Sequence, residues 1–206
     1  VLFFLFLTSL FIKQKNILIG LLLILTLVAI FLTFSRSALI MLIVSSSLLF
    51  ILMSRKIWIT LLLGITFLAL AISSKYFDVE NINLFRVVST QARLETTENA
   101  IRVIQNHPFF GVGFNAYRYT QLRYGFRNDK AEVISHADSG IDNSILFVLA
   151  TTGIVGFLFY SFMWIRILKR YNVLIVVCFI GVLINSLFIN SLFYTYIMFW
   201  LWVIIG

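Results

Sequence analysis

The sequence predicts an all-α fold: a polytopic transmembrane helix bundle with one large extracytoplasmic loop containing a short amphipathic helix. Three observations predict it. The 206 residues are 61% hydrophobic and 12% charged, with mean hydropathy +1.03, against about 45–50% apolar and about 25% charged in soluble domains. Apolar runs recur at close to the length needed to cross a bilayer. All eight acidic residues lie between Asp78 and Asp142, so the apolar runs on either side carry no acid. A single proline, Pro108, and a single cysteine, Cys178, exclude collagen-like, disulfide-rich and linker-like classes.

The elements follow in order. Val1–Ile12 is the tail of a first helix. The chain opens inside this apolar run, with no basic leader and no small-residue cleavage site, so it reads as a fragment cut within a transmembrane helix rather than as a signal peptide. Ile17–Phe34 is a second helix, interrupted at Ser35, Arg36 and Ser37. Ala38–Met53 is a third and Ile57–Ile72 a fourth, separated by Ser54, Arg55 and Lys56. Residues 73–141 are hydrophilic. Ser144–Ile165 is a fifth helix, ending at the basic stretch Arg166 to Arg170. The uncharged run from Val173 to Gly206 is longer than one span of about 30 Å requires, so it breaks near Asn185–Ser191 into two short helices or a helix and a re-entrant piece. The expected domains are therefore transmembrane helices over 1–72, a loop over 73–141 and transmembrane helices over 142–206.

Charge sets the orientation. The 73–142 stretch holds eight acidic and eight basic residues, and the remaining basic residues sit in short breaks between apolar runs. Breaks 13–16, 54–56 and 166–170 carry two, two and three basic residues and fall on one side if every run spans. Short basic loops face the cytoplasm, which places the large loop and Arg36 at the outer face. No basic patch interleaved with exposed aromatics stands out, so nucleic acid is not an expected partner. The bilayer is.

Within the loop, Ala92–Asn106 reads as an amphipathic helix with Leu94, Thr97, Ile101 and Ile104 at helical spacing. Pro108 ends it. Phe109 to Phe114 is a glycine-punctuated apolar turn suited to the bilayer interface, and its Gly-x-Gly lacks the context of a dinucleotide fingerprint. An aromatic and basic stretch follows, with Tyr117, Arg118, Tyr119, Arg123, Tyr124 and Arg127.

Candidate chemistry is sparse. Arg36, an ionisable group between two apolar runs, is either a functional residue or a cation snorkelling at a helix hairpin. Arg93 lies on the outer helix, as a ligand or on a solvated face. His107 is a capping or loop residue, and His136 is either a proton-transfer group or an ordinary loop histidine. Asp142 and Ser144 are placed to cap the fifth helix, and Ala150, Gly153 and Gly156 to allow close helix packing. With two histidines 29 positions apart and no carboxylate cluster, no metal site is expected, nor any other cofactor. No broken-helix pair of the transporter kind is visible before the C-terminal segment.

Three ordered segments resemble the C-terminal half of the bacterial O-antigen ligase and polysaccharide polymerase family. They are Thr33 to Ala38 with its Ser35-Arg36-Ser37 core; Ala92-Arg93 followed by Ala100-Ile101 and His107-Pro108 with Gly111 and Gly113; and Asp142-Asn143-Ser144 followed by Thr152-Gly153 and Gly156. Together they cover roughly residues 30 to 160. Ligases of this family usually carry His-Asn in the third motif, where this chain has Asp142-Asn143. His136, six residues earlier, does not occupy the motif. The family normally has more membrane helices than this chain, in keeping with a C-terminal fragment.

The resemblance implies metal-independent transfer of a glycan from a polyprenyl-diphosphate carrier to a hydroxyl on a glycan or lipid-glycan acceptor, outside the cytoplasmic membrane. Departure of a diphosphate develops negative charge, which fixed guanidinium forks stabilise in a low-dielectric site. Arg36 and Arg93 are the family-matching positions for that role. Asp142 is the aligned acceptor-side residue and His136 the alternative. The competing class is a transporter or channel subunit, for which Ser45, Ser46, Ser47, Asn185 and Asn190 are the polar groups at membrane depth.

Overall fold

In the computed structural model, residues 2–11, 17–33, 35–52, 87–126, 140–169 and 172–205 are described. Among them all regular structure is helical: α1 (Leu2–Phe11), α2 (Ile17–Leu32), α3 (Arg36–Leu52), α4 (Val87–Asn106), α5 (Tyr117–Arg123), α6 (Ser144–Leu168), α7 (Val173–Asn185), a 3-10 turn at Ser191–Phe193, and α8 (Thr195–Ile205). The run after Val173 breaks where expected, into α7 and α8 around the 3-10 turn. The fourth apolar run, at 57–72, and His136 lie outside the described residues.

These elements group into two units. The first contains α1, α2, α3, α7 and α8. There α3 packs along α7, and α1 against α2 and α7. Gly181 lets α7 approach closely, because a side chain there would run into Phe3 and Ser45. Hydroxyls inside these apolar helices fold back onto their own backbone: Thr8 Oγ1 donates to the Phe4 carbonyl at 2.8 Å and Thr26 Oγ1 to that of Leu22 at 2.8 Å. Such bonds satisfy a polar group where no water is available. Much of α2 is exposed apolar surface, Ile17, Leu18, Leu21, Ile24 and Leu25 among it.

The second unit joins α4 and α5 to α6 and the 186–193 segment. Its core is Ala100 and Val103 of α4, Tyr117 of α5, Ile141, and Phe147 and Ala150 of α6. The buried face of α4 therefore differs from the expected one. Leu94 and Ile101 are 58% and 41% exposed, while Ala100 and Val103 are fully buried. Small Ala100 and Ala150 lie in the shared core, and of the expected stripe Ile104 still packs against it. Helix α6 is long and apolar enough to cross a membrane, with 25 residues and an 18-residue stretch of mean hydropathy 2.1. Beyond its midpoint, Val155, Leu158, Phe159 and Phe162 form an exposed stripe at helical spacing.

Helix α6 is not continuous. Gly153 has φ 66° and ψ −170°, which divides it into 144–152 and 154–168. Gly153 is thus a break rather than a simple packing residue.

Candidate functional site

The break in α6 organises the second unit. A regular helix would bond the Ile154 N–H to the Ala150 carbonyl and the Val155 N–H to that of Thr151. Both bonds are exchanged for partners on the loop after α4. Ile154 N donates to the Pro108 carbonyl (2.9 Å) and Val155 N to that of Phe109 (3.3 Å), while Val112 N donates to the Ala150 carbonyl (3.0 Å) and Gly113 N to that of Thr151 (2.8 Å). Two helical bonds are replaced by four, and the 108–113 loop is spliced into the helix. In a bilayer each unmet backbone group costs several kcal/mol, so the splice is what makes a break here tolerable. Contact is backbone to backbone. A Cβ at Gly153 would overlap the Phe109 carbonyl, and one at Gly111 (φ 64°) would overlap the Thr151 carbonyl group.

Splicing fixes the C-terminal end of α4 against the middle of α6, and the core pairs Ala100 with Phe147 and Ala150 one to two turns back. Arg93 is seven residues before Ala100, on the same helical face. It therefore lies toward the start of α6, where its Nε is 3.9 Å from Asp142 Oδ2. The side chains are 43% and 54% exposed, so the pair is an accessible ion pair, longer than a hydrogen bond. Two of the four expected site residues are thus brought together.

Asp142 is not the helix cap. Asn143 is, its Oδ1 accepting from the N–H groups of Ile145 (2.9 Å) and Leu146 (3.2 Å). Ser144 has another task as well: its Oγ accepts from Leu192 N at 3.2 Å, and its own N–H donates to the Ser186 carbonyl at 2.9 Å. With the cap supplied by its neighbour, the Asp142 carboxylate faces solvent beside Arg93.

Arg36 belongs to the first unit and opens α3, whose first turn is capped by Ser35: the Ala38 N–H donates to Ser35 Oγ at 3.4 Å. The Arg36 side chain lies outside the described residues, as does His136. His107 ends α4 through bonds from its N–H to the Val103 (3.0 Å) and Ile104 (3.2 Å) carbonyls, and its Nε2 is 3.4 Å from Tyr124 Oη. Together with Thr120 and Arg123 these rings border a cleft of about 630 Å³. Tyr117, from the aromatic and basic stretch, is 1% exposed. Burial pushes its hydroxyl above the usual tyrosine range, and the Gln121 side chain offsets part of the rise. Among the described residues, no three His, Cys, Asp or Glu side chains are grouped as a metal site requires.

The O-antigen ligase family model matches residues 21–161, which include Arg36, Arg93, the spliced loop, Asp142 and the Gly153 break. The chain belongs to the O-antigen ligase family. No curated protein and no solved structure matches it. Members of this family are integral membrane proteins, and their activity is glycan transfer of the ligase or polymerase type on lipid-linked substrates in cell-surface polysaccharide synthesis. For this ligase-family chain, Gly111, Gly113 and Gly153 were visible as glycines; that they form one joint was not, because their partners are some forty residues away.

Proposed function

We propose that the protein transfers a glycan from a polyprenyl-diphosphate carrier to an acceptor hydroxyl at the outer face of the cytoplasmic membrane. The observation that carries this reading is the Arg93–Asp142 pair, held at 3.9 Å and open to ligands on a locked helix junction. In the reaction, the acceptor oxygen bonds to the anomeric carbon as the bond from that carbon to the diphosphate oxygen breaks. The electron pair leaves with the diphosphate, and the hydroxyl proton passes to Asp142 or to solvent.

Arg93 then has two uses. Before the donor binds, it pairs with Asp142. When the donor binds, its fork turns to the phosphate oxygens, which frees a carboxylate oxygen to accept the acceptor hydroxyl. Arg36 is the other arginine assigned to diphosphate binding. A cation at the first position of α3 meets the positive end of the helix dipole, which opposes it by about 0.3–1 kcal/mol. An anion bound there relieves both. His136 remains the alternative acceptor-side group.

The glycan profile of cells lacking the full-length protein tests the activity. Short chains retained on the lipid carrier identify a polymerase, and full chains that never reach their acceptor identify a ligase. Unchanged glycans refute both. Arg36→Lys and Arg93→Lys test the site, because an ammonium does not reproduce the planar bidentate fork. Both variants are expected to accumulate in the membrane and to lose most transfer.

A further inference from the structure

A second cleft in this unit, of about 460 Å³, is lined by the side chains of Phe114, Asn115, Arg118, Tyr119, Phe147 and Asn190 and by Gly140. Its size falls within the range of about 300–1,000 Å³ usual for ligand sites. Its walls are of two kinds. Phe114 and Tyr119 present aromatic surface, 55% and 70% exposed, and Phe147 backs Phe114 edge-on at 5.2 Å. Asn115, Arg118 and Asn190 supply planar amide and guanidinium groups.

The chemistry of these groups discriminates between ligands. Asn190 Oδ1 is buried and has no hydrogen-bond partner among the described residues. As a side-chain amide Asn190 can both donate and accept, as can Asn115. Arg118 is donor-only and needs a ligand that accepts. An ionised diphosphate only accepts, and a polyprenyl chain does neither. Sugar hydroxyls do both, and the apolar C–H face of a pyranose ring suits the aromatic wall.

Position adds the role. Gly140 lies two residues before Asp142, so their Cα atoms are within about 7.6 Å of each other. Asn190 is held near the start of α6 by the bonds from Ser144 N to the Ser186 carbonyl (2.9 Å), from Asn143 Nδ2 to the Leu187 carbonyl (3.3 Å) and from Leu192 N to Ser144 Oγ (3.2 Å). We propose that this cleft is the acceptor-saccharide subsite, in which the Asn190 amide bonds one ring hydroxyl, Arg118 donates to another and Tyr119 covers the ring face. The assignment rests on the glycan-transfer reading above and adds residues that it does not use.

The test uses full-length protein in lipid nanodiscs and, as probe, oligosaccharides released from the producing cell's own surface polysaccharide. Tyr119→Ala and Arg118→Gln alter solvent-accessible side chains and leave the core intact, and Asn190→Leu removes the lining amide. Each is expected to weaken oligosaccharide binding about tenfold, the equivalent of about 1.4 kcal/mol. Acceptor KM should rise by a similar factor while donor KM stays unchanged. Wild-type binding and acceptor KM in all three variants overturn the assignment, as does displacement of the oligosaccharide by sugar-free polyprenyl diphosphate. If wild-type protein transfers glycan without binding the probe, only the cleft assignment falls. If it transfers none, the proposed function falls with it.

Discussion

Gly153→Ala is the sharpest perturbation of the α4–α6 joint. At φ 66° and ψ −170° the residue occupies a region open essentially to glycine alone, where an L-side chain costs about 1–3 kcal/mol. The added methyl would also overlap the Phe109 carbonyl, which is backbone and has no rotamer to retreat into. The loop must therefore leave. Four loop-to-helix hydrogen bonds are lost and the helix regains two, a net loss of two at about 0.5–1.5 kcal/mol each. Strain and bond loss are alternative outcomes, so the joint is destabilised by about 1–3 kcal/mol either way. Hydrogen exchange reads it directly. In wild-type protein the amides of Val112 and Gly113 are protected. In Gly153→Ala they lose protection by at least tenfold, while those of Ile154 and Val155 remain protected by re-formed helical bonds. Transfer activity falls with the joint, because Arg93 is no longer held beside Asp142. Unchanged exchange at Val112 and Gly113, together with wild-type transfer, would refute the argument that the splice positions the pair.

Three further outcomes are expected. Asp142→Asn folds and transfers poorly whereas His136→Ala keeps most activity; since Asn143 supplies the cap, a loss in Asp142→Asn is not a capping effect, and a dead, well-inserted His136→Ala with an active Asp142→Asn moves the role to the histidine. In a Cys178→Ala background, a cysteine placed at Asn128 reacts with an impermeant reagent from outside the cell; labelling only after the membrane is opened overturns the orientation. The buried Tyr117 hydroxyl has its pKa raised by folding, so the unfolded state loses its proton first and stability declines as the pH rises above about 10. Replacement by phenylalanine should flatten that decline in detergent melting curves, and an equally steep decline in Tyr117→Phe removes the tyrosine from the account.

Hydropathy by itself determined the helical class, the membrane character and most helix limits: α2, α7 and α8 lie within the predicted runs, whereas α4 starts five residues before its expected Ala92. The unbroken acid-free stretches and the single Pro108 are local signals, and helix formation is a local process with bonds four residues apart. The ordered motifs likewise gave the family. Tertiary structure alone decided the rest. Which face of α4 is buried depended on a partner helix, so Leu94 and Ile101 point outward although their spacing reads as a core stripe. Gly153 looked like one of several packing glycines; its role as a break required the loop at 108–113 to supply the bonds that the helix gives up. Asp142 was exchanged for Asn143 as the cap by a difference of one residue in the entry turn, and that exchange is what leaves a carboxylate beside Arg93. The break at Gly153 is set by backbone groups 38 to 46 residues apart meeting at hydrogen-bond distance, and no periodicity within a single helix carries that information.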